Sequence, residues 1–152
     1  MFDFIMRHLL SFLIFVPVAG AAVLLLVRDA RAARSIALLV SLVELALCVP
    51  LLANFDTSTA TMQFVEGLDN NLPWIKAWDI YYKLGVDGIS VLFVALSALL
   101  TTISIMVSWK AVQERVREFM VAMLFLEAAM IGVFTALDLF LFYIFWEAML
   151  IP

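Results

Sequence analysis

Five apolar runs leave this chain almost no alternative to passing repeatedly through a membrane. Leu9–Val27, Ser35–Asn54, Gly88–Ser108 and Val116–Leu137 each supply the roughly 20 residues that a helix needs to cross a hydrocarbon core of about 30 Å. A fifth run, from Leu139 to Pro152, gives only about 21 Å of helix at the usual rise, so that span is expected to be unfinished and the chain a truncated or partial one. With 66% hydrophobic residues and a mean hydropathy of +1.13, too little polar surface remains to cover a soluble core. The expected fold is an all-α polytopic membrane protein, one membrane domain over residues 1–152, with four complete transmembrane helices and a truncated fifth.

The first run follows Arg7 and His8 and contains the small cluster AGAA at 19–22, which has the look of a secretory signal. It exceeds the 7–15 apolar residues of a signal core, so it reads as an uncleaved span. Orientation follows from the basic residues beside the helix ends. RDARAAR carries Arg28, Arg31 and Arg34, and the link from Trp109 to Glu118 carries Lys110, Arg115 and Arg117. Both read as cytoplasmic loops, which puts the N-terminus, the long segment 55–87 and the TALD turn at 135–138 outside.

That external segment has structure of its own to offer. Asp69-Asn70-Asn71 is expected to turn between two short extended pieces, and Trp74, Trp78, Tyr81 and Tyr82 form a set suited to the membrane interface. In LGVDGIS, Asp87 stands where its carboxylate can cap free N–H groups near Ser90 and Val91.

Several chemistries are excluded. A single cysteine, Cys48, and a single histidine, His8, can hold neither an iron–sulfur cluster nor paired haem ligands. No Gly-rich turn suits a dinucleotide, and a formal charge of −4 argues against nucleic acid. The chain is expected to carry no metal and no redox centre, so any electron transfer belongs to partners.

The chemistry that remains is acid–base. Glu147 lies among Phe, Trp, Met and Leu in LFLFYIFWEAMLIP, about nine residues past Asp138 and so near mid-bilayer. A carboxylate there costs about 2.5–3.5 kcal/mol on insertion scales and is retained where it faces a cavity, pairs, or carries protons. Glu44 and Glu127 fall about as deep in the second and fourth spans. Glu147 is the first choice for proton transfer, with Tyr143 one turn earlier able to hold it. Glu127 is equally open to a proton-transferring or a structural role. Glu44 is expected to be a structural peg, satisfied by a hydroxyl or backbone group of a neighbouring helix. No Lys or Arg is placed in sequence to pair with Glu147, so a switch would need a cation from another helix.

The elements LGVDGIS, Glu118-Phe119, LEAAMIGVFTALDLFLFY and FWEAMLIP, in this order and spacing, resemble the subunit M family of bacterial NADH-quinone oxidoreductase, respiratory complex I. The resemblance is strong after Trp74 and weaker before it. It implies the N-terminal portion of an antiporter-like, proton-translocating membrane-arm subunit of the bacterial inner membrane. The family fold has about fourteen helices in two inverted repeats, flanked by subunits L and N. NADH, FMN, iron–sulfur clusters and quinone would reside in partner subunits. By the resemblance Glu147 matches the family's essential glutamate, paired with a lysine on a later helix, and Asp138 matches a mainly structural aspartate. The alternatives are a subunit of a multisubunit cation/proton antiporter or membrane-bound hydrogenase, and an assembly-only piece packed through Gly20, Ala21, Ala22 and Gly132.

Overall fold

The computed structural model describes residues 2–67, 73–75 and 80–152. A short helix α1 (Phe2–Arg7) leads into α2 (Leu9–Leu26) and α3 (Ala30–Ala53); after the outer segment come α4 (Ser90–Ala111), α5 (Val116–Thr135) and α6 (Leu139–Leu150). Four of these, α2 to α5, are long and apolar enough to cross a membrane, and α6 is a shorter apolar helix. These are the expected spans, with most boundaries moved by one to three residues and one by more. The RAAR stretch belongs to α3 and not to a loop, because Asp29 accepts a hydrogen bond from Ala32 N at 2.8 Å and starts the helix five residues early.

Much of the helix surface is apolar and faces outward, as it can only in lipid. Leu39, Leu92, Val107 and Leu139 are all exposed. α2 lies at the centre and packs mainly on α5 and α3, with α4 closing the group and α6 set against α5. Toward one end, Leu9, Leu10, Leu13, Leu51, Val94 and Ile131 form a core cluster; toward the other, Ala33, Ala37, Leu24, Ile105, Met120 and Leu124 form a second. Small residues set the closest approaches. A Cβ on Gly20 would stand 2.8 Å from Val40, and one on Gly132 would stand 2.4 Å from the Phe145 ring. Ala21 is buried, but Ala22 faces outward and takes no part.

At the basic end, the buried Arg34 donates from Nη2 to Val112 O at 2.7 Å and to Gln113 Oε1 at 3.3 Å, tying α3 to the α4–α5 link. Arg115, at φ 51°, turns that link in the left-handed region.

At the other end the segment after α3 forms a small lid. β1 (Gln63–Glu66) pairs antiparallel with β4 (Leu84–Val86), and β2 (Pro73–Ile75) pairs with β3 (Ile80–Tyr81). Extended pieces therefore flank residues 69–71 as expected, but β1 pairs with β4 across the whole segment. The Asp69–Asn71 turn, Trp78 and the Trp74 ring lie outside the described part of the chain. Gly67 has φ 91°, and a Cβ there would meet Tyr82 O at 2.0 Å, so the close passage of the two strands requires glycine. Tyr82 is half-buried against α2, stacked on Phe15 at 6.4 Å. Leu84 bridges Ala136, and Leu137 N donates to Lys83 O at 2.9 Å, which stitches the lid to the α5–α6 turn.

Candidate functional site

The three acids lie at one depth. Glu44 is about nine residues from the lid end of α3, and Glu127 and Glu147 are each about eight from the lid ends of α5 and α6. At 1.5 Å per residue this puts all three about 12–14 Å below the lid. They do not share one environment. Glu44 and Glu127 are both 0% exposed, inside the packing of α3 and α5. Neither has a hydrogen-bond partner on any carboxylate oxygen. The expectation that Glu44 is pegged by a neighbouring hydroxyl is therefore overturned. The nearby Ser41 and Thr102 hydroxyls are spent on main-chain carbonyls, with Ser41 on Leu38 O and Thr102 on Ala98 O and Ser41 O.

Glu147 is on the opposite kind of surface. Leu139, Tyr143, Trp146, Glu147 and Leu150 are all exposed, and their spacing places them on one face of α6. Tyr143 stands one turn before Glu147 on this same exposed face. The α5-facing side of α6 is fixed by Phe145 over Gly132 and by the buried Leu141. The structure thus buries Glu44 and Glu127 at one depth and presents Glu147 outward with Tyr143.

Two further aspartates are caps. Asp138 Oδ1 accepts from Phe140 N and Leu141 N at 2.9 and 3.1 Å, which starts α6 eight residues before Glu147. Its Oδ2 also accepts from Tyr81 N at 3.3 Å, so the lid and the helix of Glu147 share one anchor. Asp87 Oδ1 accepts from Ile89 N and Ser90 N at 3.0 and 2.7 Å, while Ser90 Oγ accepts from Asp87 N at 2.8 Å, a reciprocal cap at the start of α4. The Ser90 N–H holds the Asp87 carboxyl below its ordinary 3.8. Val91, expected to share this cap, instead donates its N–H to the Asp87 carbonyl at 3.1 Å.

Sequence reading missed Glu66. Its carboxylate is 5% exposed and accepts from Leu10 N at 2.6 Å, from Ser11 N at 3.1 Å and from the Ser11 hydroxyl, which also meets Tyr82 Oη at 3.0 Å. A lid residue thus caps the first turn of α2 from across the fold. Burial pushes the Glu66 carboxyl above its ordinary 4.5, against the opposing pull of the Ser11 and Leu10 hydrogen bonds. Among the described residues, no three His, Cys, Asp or Glu side chains converge in a group that could hold a metal ion. What the arrangement offers chemically is proton exchange at buried and lipid-depth carboxyls.

No family model matches the chain. It is, however, 48% identical, over 97% of its length, to NADH-quinone oxidoreductase subunit M of Rhodobacter capsulatus. It is 42% identical over 94% to NADH-ubiquinone oxidoreductase chain 4 of Arabidopsis thaliana, and 39% over 93% to F(420)H(2) dehydrogenase subunit M of Methanosarcina mazei. In each case the match spans 28% of the relative's own length. The chain is therefore a multi-pass membrane protein similar, almost end to end, to a part of subunit M and chain 4.

Proposed function

We propose that this chain works as the corresponding part of a proton-translocating membrane subunit of an NADH-quinone oxidoreductase in the bacterial inner membrane. There it would couple quinone reduction by NADH to proton transfer through Glu147. The observation that carries this reading is the 48% identity to the Rhodobacter capsulatus subunit across nearly the whole chain. The placement of Glu147 supports it. A carboxyl at lipid depth, exposed on an apolar face with Tyr143 one turn away, suits a proton carrier that meets its counter-charge on another helix. Glu127 would take part from the interior, while Asp138 and Asp87 would support by fixing the starts of α6 and α4. Subunits L and N would be the neighbours, and NADH, FMN, iron–sulfur clusters and quinone would be bound by other subunits of the complex.

The 39% identity to an F(420)H(2) dehydrogenase subunit favours one second reading, a complex with the same membrane part and a different electron donor. Nothing about Glu147 changes between the two.

The test is Glu147→Gln in the assembled complex, with proton uptake followed in inverted membrane vesicles. Losing a positioned acid–base group typically costs about 10²-fold or more in rate, so pumping is expected to fall at least about tenfold with the complex still assembled. Glu44→Gln is expected to cost much less, and equal losses from the two would overturn the assignment of Glu147.

A further inference from the structure

The basic end of the molecule holds a charged cavity that continues into an apolar groove. The cavity, about 440 Å³, lies where the α2–α3 and α4–α5 links meet, and Arg28, Gln113, Arg115, Arg117 and Glu118 line it. Arg117 and Glu118 also line a groove of about 340 Å³, whose other walls include Leu25 of α2, Val121, Ala122 and Phe125 of α5, and Ile151 just past α6. The two spaces therefore meet at the first turn of α5. From Arg117 to Phe125 the groove descends about 12 Å along that helix, most of one leaflet of a hydrocarbon core about 30 Å thick.

The charge in the cavity is not neutralised from within. Its three arginines face one acid, Glu118, which stands 3.6 Å from Arg117 with both side chains close to half exposed. A pair so exposed is worth little and opens readily. The side chains of Arg28 and Arg115 have no ion pair or hydrogen bond among the described residues. Of the other acids at this end, Asp29 is engaged at the start of α3 by Ala32 N at 2.8 Å, and Glu114 does not line the cavity. The buried Arg34 ties the α4–α5 link to α3 through Val112 O and Gln113 Oε1 at 2.7 and 3.3 Å, so the link that carries Arg115 is held in place.

We propose that this end of the chain binds an anionic phospholipid, its phosphate held among Arg28, Arg115 and Arg117 and one acyl chain laid in the groove between α2, α5 and the end of α6. The guanidinium fork matches the oxygens of a phosphate, and a basic hollow between membrane helices on the cytoplasmic side suits such a headgroup. Continuity with an apolar groove at lipid depth selects a lipid over a free phosphate or an acidic peptide, because neither of those has anything to place against Leu25, Val121 and Phe125. The positive-inside rule puts this end in the cytoplasmic leaflet. The inference goes beyond the proposed function and holds whether or not Glu147 pumps.

The test uses the assembled complex in bilayers, with a phosphatidylglycerol that carries a photoreactive group on one acyl chain and a phosphatidylcholine with the same chains for comparison. Mass spectrometry then locates the labelled residues. Phosphatidylglycerol is expected to label residues 121–125 at least about fivefold more than phosphatidylcholine, and R28Q, R115Q and R117Q are each expected to lower that labelling about fivefold, the effect of one basic residue near an anionic lipid surface. R31Q removes an exposed arginine of the same end that does not line the cavity, and it is expected to leave the labelling unchanged. Equal labelling by the two lipids overturns the proposal, as does labelling that survives all three substitutions in the cavity. An equal loss in R31Q would assign the effect to diffuse surface charge and overturn it too. So would a groove that takes no lipid label and crosslinks instead to a later segment of a longer chain or to a partner subunit.

Discussion

Glu66 shows how one side chain can hold two distant parts of a membrane protein together. It caps the first turn of α2 from 55 residues away, through Leu10 N, Ser11 N and the Ser11 hydroxyl. Asp87 and Asp138 do the same kind of work within three residues of themselves. That difference decides what could be read from sequence: a local cap is visible as a residue type before a helix, whereas Glu66 in QFVEG gives no sign of its partner. Glu66→Ala would leave the Leu10 and Ser11 amides unpaired, at a cost of about 1–3 kcal/mol. The pH dependence has a definite sign. Burial holds the folded carboxyl above its ordinary 4.5, so its contribution is complete below pH 4.5 and is lost as pH rises through the higher folded value. Hydrogen exchange at Leu10 and Ser11, corrected for intrinsic rates, should show protection falling over that window. Glu66→Gln cannot ionise and should flatten the dependence; an unchanged slope in Glu66→Gln would assign it to another group.

At the level of elements, the spans were legible and their mutual packing was not. A helix in lipid must be apolar over about 20 residues whatever it touches, so α2 to α5 stand out in any reading. Which faces meet is a different matter, because these helices are apolar nearly all round and lipid rewards no particular side. Thus Glu44 and Glu127 could be placed at one depth but not seen to be buried, and Glu147 could not be seen to face outward. The nested pairing of β1 with β4 around β2 and β3 was equally invisible, since strand register there is set by long-range contacts and not by a hairpin turn. Gly132 is where element packing can be tested. A Cβ added there would sit 2.4 Å from the Phe145 ring of α6, so the ring or the helix that carries it must shift. Gly132→Ala is expected to cost about 1–3 kcal/mol, the usual range for overpacking. It should displace the helix that carries Glu147, lowering the complex's thermal midpoint and its pumping together. A Gly132→Ala complex with normal pumping and melting would show that α6 is not held by this contact.

At the scale of the whole molecule, the two ends differ in charge and in construction. One end gathers Arg28, Arg31, Arg34, Lys110, Arg115 and Arg117 around two short links. The other carries the lid, with Arg7 and Lys83 as its basic residues among those described. The structure places 55–67, 80–87, the start of α2 and the α5–α6 turn at the same end, because Glu66, Asp138 and Leu84 physically join them. Sidedness therefore rests on one decision instead of four, and the positive-inside rule assigns the arginine-rich end to the cytoplasm. Cysteine labelling reads this directly, because the one native thiol, Cys48, is buried and silent toward a bulky reagent. Thr61 and Glu114 are exposed at opposite ends. With a membrane-impermeant maleimide on intact cells, Thr61→Cys should label fully and Glu114→Cys should not, and inverted vesicles should exchange the two results. Labelling at Glu114→Cys in intact cells would reverse the orientation of every element at once. It would then place the lid, and Glu147 about 12 Å below it by helix rise, on the cytoplasmic side of the membrane.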